Sequence, residues 1–304
     1  MSSPSSFETK NKFNSTAENI DVELVENKNQ SIGQLIKNNN KLTPQQLNEI
    51  LDFQKQHNLK FGESAVKLGY ASDSDIVFAL SQQFSYPYTP ENTNNHHSQL
   101  VAASQPFGKQ SESFRAIRSQ LMMRVFSPQE PKRALAITSP CPGEGRTFLT
   151  ANLGIVLAQL GGRTLIVDGN FRNPRLHDLF SIPNTSGLTG ILSGRQEENV
   201  IYQAADIPSL FVMPVGITPP NPLELLERPA FRLLISELLR KFDHVLIDTP
   251  AGSISSDAIV IAARCGAALT LARRHKTGAE ELTNFTSQLR ETTAKLAGII
   301  VNEF

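Results

Sequence analysis

Residues 137–180, ITSPCPGEGRTFLTANLGIVLAQLGGRTLIVDGNFRNPRLHDLF, place a glycine-rich loop, an amphipathic run, a short β-branched run and an acidic residue in one unbroken unit. The apolar residues 134–137 predict a strand that delivers the chain into Pro142, Gly143 and Gly145, whose small or fixed backbones let successive N–H groups turn toward an anion. Thr147 is expected to open a helix in which Leu149, Leu153, Val156, Leu157 and Leu160 recur at helical spacing, so one stripe packs on a sheet while the N-terminal dipole faces phosphates. Gly161 and Gly162 stop it. Residues 164–167 then read as a buried parallel strand with Asp168 at its carboxyl end, the edge at which open α/β sheets bind ligands. A nucleoside triphosphate is the ligand this order suits, with Pro142, Gly143, Glu144, Gly145, Arg146, Thr147 and Phe148 as its expected contacts.

The strict phosphate-loop pattern fails twice, because Pro140 stands at its first glycine and Arg146 at its lysine. The order strand, loop, helix, strand, acid still favours that loop over a glycine-rich turn in a nucleotide-free Rossmann-like domain. A second acidic strand end lies in KFDHVLIDTP (241–250), where residues 245–247 read as a strand and Asp248 follows it. A carboxylate there holds magnesium through water in phosphoryl-transfer proteins, although alone it equally suits the cap of a turn.

A length of 304 residues predicts about two domains. Lys plus Arg and Asp plus Glu are 29 each, so no bulk charge argues for nucleic acid or an anionic membrane. The start, MSSPSSFETK, has no basic segment leading into an apolar core, and the apolar stretch 258–272 is interrupted by Arg264 and Gly266. Neither export nor membrane spanning is indicated, and a cytoplasmic place is expected. Cys141 and Cys265 have no metal-ligand spacing, and of six histidines only His96 and His97 are adjacent. Cys141 lies inside the loop, where it is either filler or a thiol made acidic by the helix that follows.

Residues 1–30 are polar and predict a disordered tail. A 29-residue repeat follows, aligning Gly33 with Gly62 and Gln54 with Gln83, each copy with an N-cap signal, Thr43–Pro44 or Ser72. Residues 31–88 therefore predict a small helical domain, and residues 89–105 a linker. Residues 107–126 read as one helix, on which Glu112, Arg115 and Arg118 share a face. Further strands are expected in LFVMPVG (210–216), GAALTLAR (266–273) and LAGIIVN (296–302), with helices at 230–239, in SSDAIVIAARCG and before the final strand. Six strands alternating with helices predict an α/β fold of the P-loop NTPase type, a mainly parallel sheet covered by helices on both faces and preceded by a small all-α domain.

Taken together, ESFRAIRSQL, SPCPGEGRTFLTANL, LIVDGNFRNPRLHDLF, SGLTGILSG, PVGITPPNPLELL, FDHVLIDTP, SDAIVIAARCGAAL and GIIVNEF closely resemble the bacterial tyrosine kinases of capsule and exopolysaccharide synthesis, and the whole chain resembles chain-length-determinant kinases of the EpsG type. The resemblance covers residues 107–304 and implies ATP and Mg²⁺ as cofactors, Arg146 at the lysine position on the β- and γ-phosphates, Thr147 as the magnesium hydroxyl, and Asp248 and Asp168 as the two acids at the metal. It makes Asp168 a candidate base for the attacking tyrosine, a phenol with pKa near ~10 that needs a proton acceptor. Glu112, Arg115 and Arg118 match a motif through which relatives build a ring, and a membrane chain-length regulator is the implied activator.

Residues 31–88 resemble the N-terminal domain of type II secretion and pilus ATPases, some of which bind cyclic diguanylate. Ser31 stands where that motif has Arg and Asn40 where it has Gly, which removes a bidentate phosphate partner and favours a protein-docking role. Asn170 replaces the family's second acid, and Arg146 offers a planar fork in place of a compact ammonium. The tyrosines are Tyr70, Tyr86, Tyr88 and Tyr202, with no terminal cluster, so an acceptor, if transfer occurs, is expected at Tyr86, at Tyr88 or on another protein, while packing at the edge of the helical domain is the favoured reading of Tyr86 and Tyr88. Two readings stand: a protein tyrosine kinase that regulates polymer chain length and export, and a nucleotide-switched assembly factor that transfers little or no phosphate. A partition-type ATPase is disfavoured, since Ser139, Pro140 and Cys141 supply no additional early lysine.

Overall fold

The computed structural model describes residues 32–39, 42–72, 75, 76, 78, 79, 81, 97–195, 198–205 and 207–303. The expected tail, Ser31, Asn40, Tyr86, Tyr88 and His96 lie outside the described residues. The chain divides into two compact units at Asn94/Asn95.

In the first unit, helices α1 (Ile32–Asn39), α2 (Pro44–His57) and α3 (Phe61–Lys67) enclose a core that includes Leu35, Ile36, Ile50 and Ala65. Both residues marked as N-caps make capping bonds: Gln46 N donates to Thr43 Oγ1 at 3.3 Å and Asp75 N to Ser72 Oγ at 3.2 Å. The Thr43 cap is reciprocated, because Thr43 N donates to Gln46 Oε1 at 2.9 Å, and Pro44 follows where a missing N–H costs nothing.

The second unit is built on seven strands: β1 (Leu135–Thr138), β2 (Thr164–Asp168), β3 (Tyr202–Gln203), β4 (Leu210–Met213), β5 (His244–Asp248), β6 (Ala267–Arg273) and β7 (Lys295–Asn302). Their order across the sheet is β3-β4-β2-β5-β1-β6-β7, and every pairing is parallel except β3 with β4. The sequence reading found six of these strands. The seventh, β3, has two residues, too few to carry an alternating pattern.

Period-two burial splits the core into two layers. Leu135, Ile137 and Leu246 face one cluster with Leu121, Leu153 and Leu157, from helices α5 (Lys109–Arg124) and α6 (Arg146–Ala158). Ala136, Val245 and Ile247 face the other with Phe231, Ile261 and Phe285, from α10 (Pro229–Lys241), α11 (Asp257–Cys265) and α12 (Ala279–Arg290). Helices α4 (Val101–Ser104), α7 (Leu176–Leu179), α8 (Leu188–Leu192) and α9 (Pro222–Glu227) are short connectors.

Three boundaries differ from expectation. The helix read over 107–126 runs Lys109–Arg124, because Gly108 supplies its extended N-cap. Leu160 does not belong to the packing stripe: α6 ends at Ala158 and Leu160 is 52% exposed. The expected linker ends early, since α4 forms within it, buries Ala102 along with its N-cap Leu100, and is fastened by a bond from Ala102 N to Asn152 Oδ1 of 2.8 Å. No helix among the described residues is long and apolar enough to cross a membrane.

Candidate functional site

The glycine-rich loop is open and braced from behind. Gly143 and Gly145 have φ of +73° and +93°, the left-handed conformation that side chains resist, and Gly145 is the N-cap of α6. Glu144, between them, is fully buried; its carboxylate accepts from Cys141 N at 2.9 Å and from the Thr277 hydroxyl. Asn302 Nδ2 donates to the Glu144 carbonyl at 3.0 Å, Lys276 Nζ to the Pro142 carbonyl at 3.1 Å and Arg273 to the Gly143 carbonyl at 3.4 Å. The ends of β6 and β7 thus hold the carbonyl side of the loop.

Arg146 begins α6, and its guanidinium turns back on the loop. Nε donates to the Thr249 carbonyl at 2.8 Å, and one terminal nitrogen donates to the Cys141 carbonyl at 2.8 Å and to Ser139 Oγ. Burial lowers its pKa, which the charges of Asp248 and Glu144 oppose.

The two strand-tip acids lie side by side. Asp168 and Asp248 are paired residues of the adjacent parallel strands β2 and β5, and both are buried. Thr147 Oγ1 donates to Asp248 Oδ2 at 2.6 Å. Asp168 accepts from three backbone amides, Asn170 N at 3.1 Å and Arg175 N and Leu176 N at 3.0 Å each. Burial raises the pKa of both acids, and the Asp248 charge raises Asp168 further against the pull of its amides.

Sequence reading missed the residues that set this spacing. Gly169 N donates to the Asp248 carbonyl at 2.9 Å, and a Cβ on Gly169 would lie 2.7 Å from that oxygen and 2.9 Å from Ile247 Cγ2. Gly169→Ala is therefore expected to force β2 and β5 apart at their tips and to destabilise the unit by about 2 kcal/mol. Urea unfolding of the variant checks this; an unchanged midpoint would show that the tips yield freely. Arg172 reaches across to the N-terminus of α11, its Nε 3.0 Å from the buried Asp257 and 3.2 Å from Ser255 Oγ. Asn170 Oδ1 accepts from Asn173 N at 3.2 Å, so the amide that replaces an acid works here as a turn cap. The only signal for Asp257 was its place at the start of an apolar helical run; nothing local marks Gly169 or Thr249.

A cavity of about 470 Å³ opens above the loop, lined among others by Gly143, Gly145, Arg146, Thr147, Asn170 and Arg175. A second of about 410 Å³ adjoins it at Gly145 and Phe148 and is more apolar, with Phe114, Ile117 and Leu271 in its wall. Of the expected triphosphate contacts, Gly143, Gly145, Arg146, Thr147 and Phe148 line the first cavity. Pro142 and Glu144 line neither, because their polar groups are turned to Lys276, Thr277 and Cys141. They shape the loop from behind.

Cys141 is not an acidic thiol: burial and its bond to Glu281, 3.4 Å away, raise its pKa. Glu112 and Arg115 lie on one face of α5, as their spacing predicts, and both Arg115 and Arg118 are engaged within the fold. Arg115 pairs with Glu112 at 3.0 Å and donates to the Pro106 carbonyl, while Arg118 donates to the Val156 carbonyl at 2.6 Å.

No family model matches the chain. It is 32% identical over 203 residues to the tyrosine-protein kinase YwqD of Bacillus subtilis, across 67% of this chain and 85% of that one. To the tyrosine-protein kinase Ptk of Acinetobacter johnsonii it is 34% identical over 192 residues, 63% of this chain and only 26% of that longer protein. Among solved structures, the kinase domain of the Escherichia coli tyrosine kinase Etk is similar with a TM-score of 0.64 at 31% identity, over 69% of this chain and 82% of that one. The chimerical protein CapA2B2 is similar with a TM-score of 0.63 at 34% identity, over 68% and 91%. A phosphate loop seated over two paired strand-tip acids agrees with these likenesses: the chain belongs to the bacterial tyrosine-protein kinases of capsule and exopolysaccharide biosynthesis.

Proposed function

We propose that this chain binds ATP with Mg²⁺ and transfers the γ-phosphoryl group to a protein tyrosine, as a component that regulates exopolysaccharide chain length and export. The observation that carries the reading is the pairing of Asp168 with Asp248 in register beneath the N-terminus of α6, with Thr147 already bonded to Asp248. The donor set fits a hard divalent cation. Two buried carboxylates and a hydroxyl leave the remaining positions to phosphate oxygens and water, and no group of three or more His, Cys, Asp or Glu occurs among the described residues to hold a metal unaided. Magnesium, when bound, would offset charge on the β- and γ-phosphates.

The chain's own residues do the rest. Amides of the loop and the first turn of α6 hold the phosphates, Arg146 keeps the loop open, and Asp248 orients the Thr147 hydroxyl. A tyrosine oxygen attacks the γ-phosphorus; an O–P bond forms, the bond to the β,γ-bridging oxygen breaks, and ADP leaves with the charge. Asp168 is the proposed acceptor of the phenolic proton. Tyr70 donates to Glu49 and Tyr202 lies in β3; Tyr86, Tyr88 or another protein is the proposed acceptor. Residues 31–88 are proposed as a docking module for a partner, with cyclic diguanylate disfavoured. A membrane chain-length regulator is the proposed activator, which would bring this chain to the inner face of the membrane.

The other reading, a nucleotide-switched assembly factor, is favoured by the commitment of Arg146 to loop acceptors and by the neutral Asn170. Incubation with γ-labelled ATP and Mg²⁺ separates the two. Label on tyrosine that falls by about 10²-fold or more in Asp168→Ala is the expected result. Intact ATP binding without labelling would establish the switch.

A further inference from the structure

Two cations line the cavity above the loop, Arg146 and Arg175. Arg146 spends its guanidinium on Thr249, Cys141 and Ser139. Lys276 and Arg273 lie behind the loop, on its carbonyls. Arg175 differs from all of these. Its backbone N–H is fixed on Asp168 Oδ2 at 3.0 Å; the residue is exposed, lines the cavity, and its side chain makes no hydrogen bond or ion pair among the described residues. Asn170, across the same cavity, brings no charge. A cavity that suits a triphosphate thus has in its wall one uncommitted guanidinium, on the segment that also binds Asp168.

We infer that Arg175 is a catalytic residue, a cation supplied by the chain itself that grips the γ-phosphate and stabilises the charge on the transferring group. The inference rests on the kinase reading above. As the tyrosine oxygen bonds to the γ-phosphorus and the bridging oxygen departs with ADP, charge spreads over the equatorial oxygens, and a planar fork beside them is more strongly bound than in the ground state. Anchoring through the backbone fixes where the side chain departs, beside Asp168. Side-chain variants at 175 leave the bonds to Asp168 intact.

The test is calorimetry of the full chain with Mg²⁺ and either ADP or a non-hydrolysable ATP analogue, followed by transfer kinetics. Arg175→Ala is expected to bind ADP within about 2-fold of wild type, to bind the ATP analogue about 10-fold more weakly, and to lose about 10²–10³-fold in kcat. Its thermal midpoint should not move, since the side chain makes no contact that folding needs. Arg175→Lys should recover part of the discrimination between ADP and the analogue, because it keeps the charge without the fork. Equal affinity of wild type and Arg175→Ala for the analogue overturns the assignment, as does a rise in KM for the acceptor with analogue binding unchanged, which would make Arg175 an acceptor contact. A wild-type chain that binds neither nucleotide sinks the kinase reading itself, and this inference with it.

Discussion

Asp248→Asn is expected to melt about 4 °C higher than wild type at pH 8 without nucleotide or metal, and to lose Mg²⁺-dependent phosphoryl transfer by about 10²-fold or more. The two effects have one cause. Burial lifts Asp248 from the ordinary 3.8 to about 6 and burial with repulsion lifts Asp168 to about 7, so the folded chain holds protons that the unfolded chain releases. Stability from those protons is complete below the unfolded value and is lost as the pH climbs through about 6 and about 7. An amide at 248 never ionises and removes the repulsion on Asp168, so the variant keeps about 1–2 kcal/mol that wild type forfeits at pH 8. Thr147 can reverse its hydroxyl to accept from the amide, so packing survives.

Thermal midpoints of both proteins at pH 5 and pH 8 give the measurement. His244 acts in the opposite sense: burial depresses its pKa, so it costs stability as the pH falls below its ordinary value. It does so equally in both proteins, and the gap between them isolates the acid pair. A gap that is the same at both pH values would mean that the acids are not repelling one another. Such a trade is what the proposed metal site requires, since charge is kept there at the expense of the empty fold.

How much of this was legible in the chain depends on whether the signal was local. Residues 137–180 carry the loop, α6, β2 and Asp168 within one contiguous stretch, and each is set by neighbours in sequence: glycines for positive φ, helical spacing of leucines, a β-branched run. Asp248 was readable for the same reason, as a polar residue ending an apolar run. The supports were not. Glu144 is a loop residue in sequence, yet its role is fixed by Thr277 and Asn302, more than a hundred positions away. Gly169 is required only because the Asp248 carbonyl lies 2.9 Å from its nitrogen, and no one-dimensional pattern records that approach. Arg115 and Arg118 have the spacing of an exposed charge ladder, and only the fold reveals backbone carbonyls within their reach. Sequence marked the residues proposed for the chemistry, and tertiary contacts show which residues hold them.

Arg146→Lys is the substitution expected to move transfer in the upward direction, by about 10-fold, while lowering stability by about 1–2 kcal/mol. The guanidinium now joins Thr249, Cys141 and Ser139, acceptors that one ammonium on a flexible stem cannot serve together. Lysine leaves part of that set unsatisfied, which is the cost to the fold. In return it offers a compact, strongly charged group free to follow the β- and γ-phosphates as charge shifts between them, where the present fork is held by the loop. ATP affinity should change by no more than about 3-fold, because the amides of the loop supply most of the grip. Labelled-ATP transfer measured beside a urea midpoint tests both halves. A gain in transfer with a lower midpoint identifies Arg146 as a strut that restrains the reaction; a loss of transfer with the midpoint unchanged would show that the fork itself touches the reacting phosphate and that the loop stands without it.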